Sequence, residues 1–94
     1  MRIFTFRNYI IMQKESIKEK VVSYIKEVTF AEKEKIKEDT LLFKEGFFDS
    51  MGFVMLLGFI EDTFKIIPND SDLVEENFES IIAITNFIVS KQAA

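Results

Sequence analysis

The chain contains no cysteine and no histidine, and only one proline and three glycines, among 94 residues. Without cysteine it can form no disulfide and no thiolate metal site, and it has no thiol of its own for chemistry. Without histidine it lacks the usual general base near neutral pH and the commonest metal ligand. No apolar run approaches the ~20 residues that a membrane-spanning helix requires. What is abundant is core material: 48% of residues are hydrophobic and eleven are phenylalanine, a composition that excludes disorder. The length suits one domain, near the lower size at which a single core holds itself together.

The net charge of -4 is unevenly spread. Residues 1–38 carry nine Lys/Arg against six Asp/Glu, whereas residues 39–94 carry three against ten. An acidic field over the second part disfavours nucleic acid and favours partners with basic surfaces. Residues 1–11 have a few features of a signal peptide, but Arg7 and Asn8 interrupt the apolar stretch and no small-residue cleavage site follows. We read 1–11 as an N-terminal extension, 12–94 as the domain, and the location as cytoplasmic.

Apolar spacing predicts three substantial helices. The first covers roughly 13–28, with Ile17, Val21, Tyr24, Ile25 and Val28 on one stripe and Ser16 with Glu19 as a capping box at its start. Residues 29–46 form a long mixed connection, in which Glu32–Glu38 can make a turn or two of helix anchored by Ile36. Leu41, Leu42, Phe43 and Phe47 are expected to tuck inward. The second helix starts at Asp49 or Ser50, with Asp49 as N-cap, and runs to about Phe64. Gly52 and Gly58 weaken it by up to ~1 kcal/mol each, a cost that points to close packing or close approach of a partner. Pro68, Asn69 and Asp70 mark a loop, a short helix follows around Ser71–Glu76, and the last helix runs from about Glu79 or Ser80 to Lys91. The expected core is Ile17, Val21, Ile25, Val54, Leu57, Phe64, Phe78, Ile81, Ile84 and Ile88.

One segment carries chemistry. Asp49-Ser50-Met51 puts a serine directly after an acid at a helix start, where free N–H groups and the positive helix end accommodate a phosphate. Capping alone is the plainer account of such a pair. The surrounding register makes it more specific: Leu42-Phe43-Lys44-Glu45-Gly46 before the serine, Val54 four residues after it, then Ile60-Glu61-Asp62-Thr63-Phe64, Ile66-Ile67-Pro68-Asn69-Asp70 and Asn77-Phe78-Glu79-Ser80-Ile81. Over about residues 13–91 this pattern resembles the phosphopantetheine-dependent carrier proteins, the acyl, peptidyl and D-alanyl carriers.

The resemblance implies an all-α fold, a small right-handed four-helix bundle with a long first loop. It implies a 4'-phosphopantetheine arm attached covalently at Ser50, flanked by Asp49 and Met51, that holds an acyl or aminoacyl cargo as a thioester. It also implies a role in lipid or secondary-metabolite biosynthesis, in a free-standing monomer. Its partners would be a phosphopantetheinyl transferase, an adenylating acyl or aminoacyl ligase, and an acceptor synthase or transferase. Met51 stands where leucine is usual, and Met55 where fatty-acid carriers have a glutamate. Phe53, Met55, Phe59, Glu61 and Asp62 are therefore read as a mixed apolar and acidic docking face, nearer to the peptidyl and D-alanyl carriers.

Other classes fare worse. Adjacent Glu61 and Asp62 diverge on a helix and make a poor catalytic pair, and Ser50 has no histidine base, so no autonomous enzyme is expected. Asp70-Ser71-Asp72 opens like a calcium loop, but Glu75 occupies the sixth position, where glycine is needed, so no metal is expected. The remaining alternative is a helical interaction adaptor without a prosthetic group.

Overall fold

A computed structural model describes the backbone of residues 2–29 and 36–93, and the side chains of residues 13–29 and 36–92. Among these residues four α-helices follow in order, α1 (Arg2–Thr29), α2 (Ser50–Phe64), α3 (Glu75–Phe78) and α4 (Ile81–Ala93), with a 3₁₀ turn at Asp70–Asp72. Among the described residues there is no strand, and none of the helices is long and apolar enough to cross a membrane. The architecture is the small all-α bundle expected from the helical stripes together with the resemblance.

α1 has 28 residues, about 42 Å at 1.5 Å per residue. Its buried stripe is Ile17, Val21 and Ile25, one helical turn apart, with Tyr24 and Val28 half-buried beside it. The helix begins far upstream of Ser16 and Glu19, so these two are exposed mid-helix residues and do not cap a start. The backbone helix also runs without a break through the boundary expected at residues 11 and 12. The apolar side chains before Gln13 lie outside the described residues, as do residues 32–35 of the helical turn expected over Glu32–Glu38; its remainder, 36–38, is not helical.

α1 packs on α4, whose Ile81, Ile84 and Ile88 are fully buried and whose Phe87 is nearly so. Ser80 caps α4: its hydroxyl accepts the Ala83 N–H at 3.1 Å, which sets the helix start at Ile81. Thr85, also on α4, is fully buried, and its hydroxyl has no hydrogen-bond partner among the described residues. α3 lies against α4 and contributes Phe78 to the core. The single short helix expected around 71–76 is instead split. Leu73 (ψ 65°) and Val74 (ψ 151°) leave helical geometry, separating the 3₁₀ turn from α3.

The long first loop is held by its own backbone. The Leu42 N–H donates to the Glu79 carbonyl at 2.8 Å, and the Ile82 N–H donates to the Glu38 carbonyl at 3.0 Å, fastening the loop to the start of α4. The Leu42 carbonyl accepts from both Phe47 and Phe48 N–H, at 2.9 and 3.1 Å, which closes the turn that delivers the chain to α2. Gly46, with φ +88°, supplies the left-handed residue of that turn. Leu42, Phe48 and Ile36 are buried, while Phe43 and Phe47 pack against the core from its edge. The Lys18 ammonium donates to the Glu38 carboxylate at 2.8 Å, tying the loop to α1. That bond is the main reason its pKa is raised above the ordinary lysine value.

One part of the expected core is corrected. In α2 the fully buried residues are Leu56 and Ile60, whereas Val54 is 61% exposed and Leu57 and Phe64 are half-buried at the edge of the core. Eight of the eleven residues 50–60 are apolar, so apolar spacing alone fits more than one face of this helix.

Candidate functional site

The turn at residues 42–48 ends at Asp49, whose extended backbone (φ -121°, ψ -167°) precedes the first residue of α2. Its carboxylate accepts the Gly52 N–H at 2.9 Å, and its carbonyl accepts the Phe53 N–H at 2.9 Å. Asp49 is therefore a true N-cap, as expected. It fixes the neighbouring Ser50 as the first helical residue, exposed to solvent. At that position the first-turn N–H groups have no carbonyl behind them, and the helix end is positive. Gly52 explains part of the local glycine content: a Cβ there would sit 3.4 Å from the Phe48 ring, so the helix start presses directly on the turn. A Cβ added at Gly58 would meet nothing within 4 Å, so packing does not account for that glycine.

Two clefts flank the serine. One, of about 680 Å³, is bordered by Asp49 and Ser50 and lined by Phe43, Phe53, Val54 and Phe78. Leu73, Val74 and Glu75 form its other wall. The second, of about 290 Å³, lies where Tyr24 and Val28 of α1 meet Phe47, Phe48, Met51 and Met55. Asp49 borders both.

The exposed side of α2 forms a continuous stripe. Met51 (67% exposed), Val54 (61%) and Met55 (53%) follow one another at helical spacing, then Gly58, then the exposed carboxylates Glu61 and Asp62. Of the residues expected on a docking face, Met55, Glu61 and Asp62 are thus brought together on the side that carries Ser50. Phe53 and Phe59 are not. The Phe53 ring stands edge to face with Phe43 (centroids 6.0 Å) and Phe78 (5.3 Å), and Phe59 stacks on Tyr24 at 4.1 Å. Burial of Tyr24, helped by nearby Glu27, raises its hydroxyl pKa. In place of the two phenylalanines, Met51 and Val54 supply the outward apolar surface.

Leu73 and Val74 are not singled out by sequence reasoning, yet they form the far wall of the larger cleft, 41% and 45% exposed. An apolar pair set between Asp70–Asp72 and Glu75–Glu76, with no periodic helix to absorb it, is the signal that could have found them. Their segment is anchored by Asp72. The Lys91 ammonium donates to its carboxylate at 2.8 Å and the Asn69 N–H at 2.9 Å, and these two bonds hold its carboxyl below the ordinary aspartate pKa. The Asn77 side-chain amide donates to the Asp72 carbonyl at 2.8 Å. Asp72, in the segment that opens like a calcium loop, is thus already engaged by a cation.

A group attached to Ser50 fits this arrangement: the residue is exposed, and an apolar cleft opens beside it. No known protein family matches the chain, and no curated protein is significantly similar to it.

Proposed function

We propose that the protein is a carrier that holds an acyl or aminoacyl group on a 4'-phosphopantetheine arm attached to Ser50. The observation that carries this reading is the placement of Ser50: first residue of α2, capped by Asp49, exposed, and bordering an apolar cleft. When bound, such an arm supplies the terminal thiol that this cysteine-free chain lacks, and with it a thioester link to the cargo.

The remaining parts are the work of the chain itself. Asp49 holds the first turn of α2 in register through Gly52 and Phe53, so the Ser50 hydroxyl is presented at one fixed place. The helix end favours the phosphate that the attachment leaves on the serine oxygen. Phe43, Phe53 and Val54 give the arm an apolar surface to rest on. The stripe from Met51 to Asp62 meets partner enzymes, apolar near the serine and acidic further along. The partners on this reading are a phosphopantetheinyl transferase, an adenylating ligase and an acceptor enzyme, with basic surfaces facing the acids. The carrier itself performs no catalysis.

Incubation with a phosphopantetheinyl transferase and a fluorescent coenzyme A derivative tests the reading. Label on the peptide containing Ser50 supports it. An unlabelled, fully folded chain would instead favour the adaptor, which uses the same exposed stripe without a prosthetic group.

A further inference from the structure

Five phenylalanines form a connected row through the site. Phe48 meets Phe43 edge to face (centroids 5.7 Å), Phe43 meets Phe53 (6.0 Å), Phe53 meets Phe78 (5.3 Å), and Phe78 meets Phe87 (5.0 Å). Phe53 and Phe78 belong to two surfaces at once: both line the larger cleft and both pack in or against the core. The row is therefore the boundary between cleft and core. Leu56, Ile60, Ile84 and Ile88 are fully buried and line no part of the cleft. Interlocked aromatic edges and faces at these separations resist displacement, because each inner ring of the row is held by two neighbours.

The cleft also has a sign. The ionisable residues on its wall are Asp49 and Glu75, both carboxylates, with no lysine or arginine among its lining residues. An anion at the end of the arm is repelled by these two carboxylates, and no cation lines the cleft to offset that repulsion. The volume of about 680 Å³ falls within the ~300–1,000 Å³ of sites that hold a small molecule. That volume, with Ser50 at its border, bounds what an arm and its cargo can fill together.

Resting on the carrier reading above, we infer that the cleft seats the carried group outside the phenylalanine row, and that the group is a short apolar acyl or aminoacyl unit without negative charge. A long alkyl chain has no route inward past Phe53 and Phe78. A dicarboxylic unit meets Asp49 and Glu75.

The test loads Ser50 from three coenzyme A thioesters (phenylacetyl, dodecanoyl and succinyl) with a phosphopantetheinyl transferase. In each transfer the Ser50 oxygen forms a bond to phosphorus and loses its proton, and adenosine 3',5'-bisphosphate leaves. Methyl NMR spectra are then compared with those of the chain loaded from unacylated coenzyme A. Phenylacetyl should shift the methyls of Val54, Leu73 and Val74, while those of Leu56, Ile60 and Ile84 stay in place. Succinyl should leave both sets unmoved, and dodecanoyl should leave the core set unmoved. Core shifts with dodecanoyl, unmoved cleft methyls with phenylacetyl, or succinyl shifts equal to those of phenylacetyl would each overturn the inference.

Two variants sharpen the outcome. Phe53→Leu removes a ring from the row while keeping an apolar side chain, so dodecanoyl should now shift Leu56 and Ile60. If it does not, in a chain of unchanged helical content, the row is not the barrier and the inference falls. Glu75→Lys should let succinyl shift Leu73 and Val74, and failure to do so rejects the charge selection. If Ser50 accepts no group from any donor, the carrier reading fails and this inference with it. Loading at Ser50 accompanied by core shifts rejects the seat alone.

Discussion

The two sides of α2 share one composition and have opposite fates. Toward the core, Leu56 and Ile60 are fully buried in one cluster with residues of α1 and α4, and Phe53 and Phe59 are locked into aromatic contacts at its edge. Away from the core, Met51, Val54 and Met55 are equally apolar and stay more than half exposed, in line with Ser50, Glu61 and Asp62. Hydrophobicity therefore does not separate core from surface in this helix. The separation comes from what α1, α4 and the 42–48 turn cover. Apolar surface left outside on the side of an exposed serine is a use of hydrophobic residues that stability does not account for.

The sharpest way to break this contrast is truncation on each side. Ile60→Ala should lower unfolding free energy by roughly 2–5 kcal/mol, because a cavity remains in a packed core. Val54→Ala should change it by less than about 0.5 kcal/mol, as expected at a surface position. Urea denaturation of both variants checks this. A Val54→Ala loss comparable to that of Ile60→Ala would place Val54 in the core after all.

Charge reversal on the outer side is the next test. Glu61→Lys with Asp62→Lys should slow modification by a basic transferase by about tenfold at low salt. The gap should narrow toward physiological ionic strength, where the screening length is ~8 Å. Loading rates measured across a salt series decide it. Rates equal to those of the unaltered chain at every salt concentration would remove the acidic end of the stripe from partner encounter.

A smaller effect concerns Gly58, on the same outer side with open space around it. Gly58→Ala should raise stability by up to ~1 kcal/mol through helix propensity alone. Thermal unfolding measures that gain, and a loss of stability would show that the position is packed. A loading rate that falls while stability rises would mean that a partner approaches the backbone there.

The smallest expected effect tests the cleft wall. The Asp72 carboxyl has its pKa lowered, first by the Lys91 hydrogen bond and then by the Asn69 N–H. A lowered carboxyl contributes stability that is present above its unfolded value and lost as pH falls through its folded value. The loss thus belongs below the ordinary aspartate value of 3.8. Asp72→Asn should therefore flatten the acid limb of the stability curve while leaving neutral-pH helical content intact. An unchanged acid limb would mean that the ion pair is too solvated to matter.

Much of the fold is legible where periodicity has only one solution. On α1, Ile17, Val21 and Ile25 form a stripe among charged residues, so one face is the only apolar choice. The same holds for Ile81, Ile84 and Ile88 of α4. The Asp49 cap and the Ser50 start are legible because capping chemistry is local. The inner face of α2 is not legible, since apolar residues surround most of that helix and spacing alone turns Val54 inward. The start of α1 is hidden because Ser16 and Glu19 match a capping box equally well in mid-helix, where the pattern has no capping role. The cleft wall at Leu73 and Val74 depends on how the segment after the 3₁₀ turn folds back beside α2, a long-range contact that no local pattern encodes.

The attachment at Ser50 is decided most directly by intact mass. The chain has five other serines, of which Ser16, Ser23, Ser71 and Ser90 are also exposed, so exposure alone does not single out Ser50. After incubation with a phosphopantetheinyl transferase and coenzyme A, the unaltered chain should gain the mass of one phosphopantetheine group, while Ser50→Ala, with the same helical content, gains nothing. An unmodified native chain, or a Ser50→Ala chain carrying the same added mass, would contradict the placement of the arm at the head of α2.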